Sequence, residues 1–345
     1  MIAGLWAMPP TPPSVCAVLL TYDCESFVEE ALVGVLDQRC DPLGVLVSDD
    51  ASRDGTLDVV ERLLARYRGP HRVRVFRRSV NSGSKSAHLN ALVDQLEGEV
   101  IVLFDGDDVS APQRVRRLVE VFGSDPRVQA VYSAISTMDR DGRKLGPAPV
   151  PRPPAGVSPA AWFARADSYA PGGTLALRRD VFERFEPIDE DIHEDVVLPF
   201  RASLLGEVRY LPEPLVTVRR HAASFTADPG RYRSVDALRA RMTAGIERAA
   251  RSAQGRLRDL ATIERGAPER APELAELRAV VDDSLRQAEG TRDLLSPWFW
   301  RRWRALLRIV RARAYPDQLA EHTMLALSPA LYVCLKRWRA ARRIR

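Results

Sequence analysis

Val100-Ile101-Val102-Leu103-Phe104-Asp105-Gly106-Asp107-Asp108 runs an apolar segment of strand length into three carboxylates around one glycine. A buried strand delivers its C-terminal end to the rim of an α/β sheet, where ligands bind. Carboxylates crowded there repel and raise each other's pKa unless something opposes them. A divalent cation carried by a phosphate-bearing substrate is the simplest such partner, and hard oxygen ligands suit Mg2+ or Mn2+. Gly106 is read as letting the turn tighten and bringing backbone close to the ligand. An acidic turn capping a helix started by Ser110 and Pro112 would give the same pattern.

Working outward, the same design repeats upstream. Val15–Leu20 reads as a first buried strand ending at Thr21-Tyr22-Asp23, followed by a helix from Ser26 to about Gln38. Gly44–Val47 forms the next strand and ends at Ser48-Asp49-Asp50-Ala51-Ser52-Arg53-Asp54-Gly55-Thr56, before a helix over Leu57–Arg66. Val73–Phe76 follows as a strand, then Asn81-Ser82-Gly83-Ser84-Lys85 and a helix bearing His88 and Asn90. Strands alternating with amphipathic helices predict an α/β fold with a mostly parallel sheet covered on both faces. Polar and acidic residues gather at successive strand ends, on the side where the binding crevice belongs. There is no GxGxxG after the first strand and no GxxxxGK[ST], so dinucleotide and P-loop readings lose their main support.

Leu20-Thr21-Tyr22-Asp23, the segment from Val47 to Thr56, Asn81-Ser82-Gly83 and Asp105-Gly106-Asp107-Asp108 together resemble the ordered signature of the family 2 glycosyltransferases. The resemblance covers roughly residues 14 to 226. It departs from the family at Asp23, where asparagine is usual, and at Arg53, where threonine or glutamate is frequent. It implies a GT-A fold, an inverting transfer from a nucleotide-diphosphate sugar, and a Mn2+ or Mg2+ cofactor. It also implies roles. Tyr22 matches the aromatic near the nucleotide base, Asp50 the acid that reads a pyrimidine N–H, Asp105 the carboxylate facing ribose and metal, and Asp107 the metal ligand proper. Lys85 is placed with the donor-binding residues. A metal on the diphosphate would neutralise charge on the leaving nucleotide.

The second half supplies the acceptor side. Ala170–Arg179 looks like a glycine turn entering a strand, a region the resemblance sets beneath donor sugar and acceptor. His193-Glu194-Asp195 resembles the family's acceptor-site acids, and Asp195 is assigned as the general base that an inverting transfer requires. Both acids would equally suit the first turn of a helix. Leu215–Ser224 resembles the family's YR-x-H-x-x-S/N segment, with Val218 where an aromatic is usual; this makes His221 a second metal ligand, and Arg219 and Arg220 could hold diphosphate oxygens by forked hydrogen bonds.

At 345 residues, 46% hydrophobic and 7% aromatic, the chain suits one large domain and an appendage. The expected division is a catalytic domain over 1–228, with a nucleotide half over about 14–145 and an acceptor half over about 160–226, and a helical region over 229–345. Gly146–Pro159 is read as a surface loop and 230–295 as a helical hairpin or small bundle. Cys16, Cys24, Cys40 and Cys334 show no metal-binding spacing and read as reduced thiols. Met1–Pro13 lacks a charged n-region and is broken by four prolines, and no apolar run is long enough to span a bilayer. These features predict a cytoplasmic protein.

Residues 296–345 hold twelve Lys or Arg and two acids, a net +10 in a chain of net +5. Ser296-Pro297 starts a helix in which Trp298, Phe299, Trp303, Leu306, Leu307 and Val310 recur at helical spacing among arginines; Leu325–Leu335 and Trp338 form a second. Such a tail suits an anionic membrane surface, or it packs on the catalytic domain with its arginines solvated. The expected partners are a nucleotide-diphosphate sugar, a glycan or lipid-linked acceptor and that membrane surface. No nucleic acid is expected, because the acidic strand ends have no place in a nucleic-acid binder. A sugar-phosphate nucleotidyltransferase shares the sheet and the acids, but it would open with a glycine- and arginine-rich phosphate loop where Thr21–Cys24 stands.

Overall fold

The computed structural model describes residues 13–40, 42–165, 168–221, 235–294, 296 and 298–311, with backbone only for 235–239 and 308–311. Among the described residues, those up to Phe163 together with Ser168–His221 form one compact unit. Ala164, Arg165 and the residues after His221 belong to a second.

The first unit is one twisted sheet of nine strands: β1 (Val15–Thr21), β2 (Gly44–Asp49), β3 (Arg72–Arg77), β4 (Val100–Asp105), β5 (Val109–Ser110), β6 (Val128–Asp139), β7 (Lys144–Ala148), β8 (Ala176–Arg178) and β9 (Glu207–Arg220). The order is β3-β2-β1-β4-β8-β6-β9-β5, with β7 paired to β6. The first four strands are parallel. Their apolar runs are buried on both faces in β1, β2 and β4, as a helix-covered parallel sheet requires. β3 instead closes the sheet as an exposed strand carrying Arg72, Arg74 and Arg77, a charged edge that discourages further pairing.

The helices are α1 (Val28–Leu36), α2 (Thr56–Arg66), α3 (Lys85–Asn90), α4 (Arg114–Ser124), α5 (Pro159–Phe163), α6 (Asp180–Glu183) and α7 (Glu194–Leu205). α1 turns Val28, Ala31, Leu32 and Val35, and α4 turns Val115, Leu118 and Phe122, onto the β1–β2–β4 surface of Leu19, Val47, Val102 and Phe104. Each buried Leu, Val or Phe there contributes roughly 1.5–3 kcal/mol. Register puts Leu20 of β1 beside Asp105 of β4 and Thr21 beside Asp49 of β2, so the acidic strand ends lie side by side.

Two local expectations change. Ser110 does not start a helix. It pairs with Val216 as part of β5, and α4 begins at Arg114 with no side-chain cap. The acids of 105–108 therefore do not act as helix caps. Gly146–Pro159 is not wholly loop, since 146–148 complete β7 on the outer side of β6; Pro147 is tolerated because that strand is an edge. In the second unit, α8 (Val235–Gly266) and α9 (Ala271–Leu294) form the expected hairpin, and α10 (Phe299–Arg311) packs on α9. Ser224, Cys334 and the tail helix expected over 325–335 with Trp338 lie outside the described residues.

Candidate functional site

β1, β2 and β4 end together, and their terminal residues are locked to one another. The Asp50 N–H donates to Thr21 O at 3.0 Å and the Gly106 N–H to Leu20 O at 2.9 Å. Gly106 is needed for this approach rather than for a positive φ: an added Cβ would stand 2.9 Å from Cys24 Sγ and 3.0 Å from Leu20 O. Burial beneath this turn pushes the Cys24 thiol up to about 12, so it is an inert packing group.

Asp50 is buried and saturated with donors. It accepts from the Ser82 N–H at 3.0 Å, Ser82 Oγ at 2.6 Å and Asn81 Nδ2 at 3.2 Å, and pairs with Arg78 Nε at 3.0 Å. The Asn81-Ser82-Gly83 segment is thus fastened to the end of β2. Tyr22, just past β1, is exposed, with the Arg53 guanidinium 5.7 Å from its ring centre. Two of the departures from the family's pattern, Asp23 and Arg53, face each other. Asp23, in the left-handed region at φ 42°, accepts the Arg53 N–H at 2.8 Å and pairs with its guanidinium at 2.5 Å. That backbone hydrogen bond, aided by the guanidinium, holds the Asp23 carboxyl below its usual range.

α3 starts at Ser84, whose Oγ accepts the Ala87 N–H at 3.1 Å, and this cap aims Lys85 across the sheet rim. Lys85 Nζ lies 2.6 Å from Asp105 Oδ1 and 2.9 Å from Glu194 Oε1. Burial works against a charge on Lys85, but Asp105 and Glu194 outweigh it and hold the ammonium charged above its ordinary range. Further along α3, His88 Nε2 lies 2.7 Å from Ser48 Oγ. Burial pulls this imidazole down to about 4, so it is neutral and structural.

Glu194 and Asp195 form the first turn of α7, so the helix-terminus reading and the site reading hold together. Glu194 is buried against Lys85. Asp195 Oδ1 is also buried, yet it has no hydrogen-bond partner among the described residues. Burial, then the charge of Glu194, raises the Asp195 pKa to about 7, while Lys85 opposes the rise. Gly172 and Gly173, in a short turn before β8, floor this space. A Cβ on Gly173 would stand 2.6 Å from Asp105 Oδ2, and one on Gly172 would collide with Glu194.

Asp107 points to the other side, where His221 Nε2 lies 3.0 Å from its Oδ2. The structure brings these two expected metal ligands together. Among the described residues, no group of three or more His, Cys, Asp or Glu gathers as a protein cage for a metal. Such a donor set fits an ion that takes one or two protein groups and completes its shell with water and diphosphate oxygens.

Two arginines organise these acids: Arg114, which the sequence did not single out, and Arg219, one of the pair expected to hold diphosphate oxygens. Arg219 of β9 donates its N–H to Asp108 Oδ1 at 2.9 Å, its Nε–H to Asp107 O at 3.2 Å and its Nη2–H to Glu30 Oε2 at 2.6 Å. Its guanidinium also lies 5.0 Å from the Phe27 ring centre, and Phe27 in turn packs on His221 at 4.7 Å. β9 is therefore pinned to the Asp107–Asp108 turn, which sets His221 opposite Asp107. Burial, then Asp107 and Asp105, raises the Asp108 pKa well above its usual range. Arg114 is fully buried beneath β4, donating to Leu103 O at 2.8 Å and Ser110 Oγ at 3.0 Å over the Phe104 ring. Burial lowers its pKa to about 9, with Asp105 and Asp108 opposing.

Comparison with known proteins bears on the family and the fold. The profile described as Glycosyl transferase family 2 matches residues 16–185. An uncharacterized glycosyltransferase of Nostoc sp. is 27% identical over 217 residues, 61% of this chain and 66% of that relative. The chain spans about three fifths of the length of the curated relatives it matches. Among solved structures, S. aureus TarS in complex with UDP-GlcNAc superposes with a TM-score of 0.52 at 18% identity, over 90% of each chain. The mannosyltransferase PcManGT from Pyrobaculum calidifontis, in complex with GDP-Man and Mn2+, gives 0.50 at 20% identity, over 95% of this chain and 88% of that one. At such identities the superpositions speak for the fold, which is GT-A.

Proposed function

We propose that this chain, whose residues 16–185 match the profile of glycosyl transferase family 2, moves a sugar from a nucleotide-diphosphate donor to a hydroxyl of a glycan or lipid-linked acceptor, with inversion. The observation that carries the mechanism is Asp195. It is an acid with a pKa of about 7 and a buried oxygen that lacks a hydrogen-bond partner among the described residues, beside carboxylates already paired. Leaving such an oxygen unsatisfied costs roughly 1–3 kcal/mol, a cost an acceptor hydroxyl would relieve. In the transfer the hydroxyl oxygen attacks the anomeric carbon and the carbon–phosphate oxygen bond breaks. The hydroxyl proton passes to Asp195, and the nucleoside diphosphate leaves with the bonding pair.

On the donor side, Tyr22 offers a face for the base, and Asp50, held by Ser82, Asn81 and Arg78, would meet a base N–H only in place of one of these donors. Asp105 and Lys85 border the sugar and diphosphate. Asp107 and His221 would hold Mn2+ or Mg2+, with imidazole favouring manganese. When bound, that ion would neutralise charge on the departing diphosphate. Solved neighbours carry UDP-GlcNAc or GDP-Man with Mn2+, which supports a donor of this class.

Asp195→Asn is the test. It should bind donor nucleotide normally while turnover falls by roughly 10²-fold or more. Near-normal transfer by this variant, with Glu194→Gln inactive, would move the base one residue upstream.

A further inference from the structure

α10 has a second apolar side that nothing described covers. Ala305 and Leu306 are buried where the helix packs on α9. Phe299, Trp303 and Leu307, four residues apart, are 54%, 43% and 40% exposed, with Trp300 at 50% and Trp298, just before the helix, at 60%. At 100° per residue, Phe299, Trp303, Leu307 and Trp300 share one continuous arc, and Arg304 and Arg301 follow directly on its flank. The Phe299 and Trp303 rings stack at 6.1 Å and 16°. The Arg301 and Arg304 guanidiniums lie 5.2 and 5.3 Å from the Trp300 ring centre, so cation and aromatic present one surface. There is no acid between residues 296 and 316, and the last fifty residues carry net +10.

We propose that this ridge docks on an anionic phospholipid bilayer, with α10 lying in the plane of the interface. A monomeric protein exposes so many large rings on one helix only where something covers them. The adjoining positive charge selects an anionic cover, and tryptophan with arginine is the pairing that suits the headgroup boundary. The contact is peripheral, since no described helix is long and apolar enough to cross a membrane. It is independent of the catalytic reading and stands or falls without it.

The full chain is floated with vesicles of phosphatidylcholine containing one-third phosphatidylglycerol, and with pure phosphatidylcholine. It should rise with the anionic vesicles at low salt, with a blue shift of tryptophan emission, and should partly persist at high salt, because the apolar contact is not screened. Arg301→Gln and Arg304→Gln should each lower the partition coefficient about fivefold. Phe299→Ser with Trp303→Ser should abolish the salt-resistant fraction. All four side chains are exposed, so circular dichroism should be unchanged in these variants. The proposal is overturned if the wild type stays in the soluble fraction with anionic vesicles at low salt, or if the arginine variants float as it does. Sedimentation showing a dimer that the double serine variant dissolves, without flotation, would assign the ridge to a second copy instead.

Discussion

Gly173 lies in the Gly172–Thr174 turn, and its hydrogen faces Asp105. An alanine methyl there would stand 2.6 Å from Asp105 Oδ2 and 3.2 Å from its Cγ, where ordinary contact begins at 3.4 Å. About 0.8 Å must be found. Asp105 is a short side chain on a strand end, tied to Lys85 at 2.6 Å, so either that ion pair stretches or the turn backs away from the rim. Overpacking of this size costs roughly 1–3 kcal/mol. The φ of Gly173 is compatible with alanine, so the stiffer unfolded chain returns about 0.4–1 kcal/mol. The net loss of stability is then small, on the order of 1 kcal/mol. The effect on catalysis should be larger, because a misplacement near 1 Å at a reacting centre costs about 10²-fold.

The assay is therefore a pair: kcat/KM for donor turnover, and the urea midpoint. Gly123→Ala serves as control. It adds the same methyl where nothing lies within 4 Å, inside α4, and should gain up to about 1 kcal/mol of helix propensity with unchanged turnover. Turnover of Gly173→Ala within a few-fold of wild type would show that the turn does not set the position of Asp105. Loss of activity in parallel with the urea midpoint would show a folding defect instead.

Asp107→Asn should leave the urea midpoint unchanged and remove manganese-dependent nucleotide affinity; calorimetry showing that the variant binds nucleotide with the manganese dependence of the wild type would sink that assignment. Lys85→Met removes the cation that opposes the rise in the Asp195 pKa, which stands at about 7. A base works deprotonated, so activity climbs as pH rises through that pKa, and the acid limb of kcat/KM should move to higher pH in the variant. An unmoved limb would disconnect Lys85 from the base.

Legibility differed between elements for physical reasons. β1, β2 and β4 were readable because strands buried on both faces must be apolar throughout, and their acidic ends interrupt that rule abruptly. The α8–α9 hairpin was readable from periodicity alone. Ser110 misled because a serine before a proline is a good helix-start signal locally, whereas its pairing with Val216 is a contact across 106 residues of chain. Arg114 was not legible, since Arg114, Arg116 and Arg117 look alike on an amphipathic pattern. Only the approach of Phe104 and Ser110 buries the first of them. The Arg219–Arg220 pair reads locally as diphosphate ligands; that Arg219 pins the Asp107–Asp108 turn depends on contacts across 111 and 112 residues of chain. Gly106 is legible as a turn glycine, but its close packing against Leu20 and Cys24 cannot be seen in a turn's own residues.

The five acids at the rim differ most in what already answers their charge. Asp105 and Glu194 share Lys85. Asp107 has His221, which a metal would oblige to turn from hydrogen-bond partner into fellow ligand. Asp108 accepts the Arg219 N–H, and burial with its neighbouring acids raises its pKa. Asp195 alone among them keeps a buried oxygen with no described partner. Groups already paired hold their place during a reaction but have little left to give. The unsatisfied acid, poised near neutrality, can take a proton and give it up again. This ordering does not follow from five carboxylates in a sequence. It follows from one lysine and one arginine, 134 residues apart, that reach the same rim from α3 and β9.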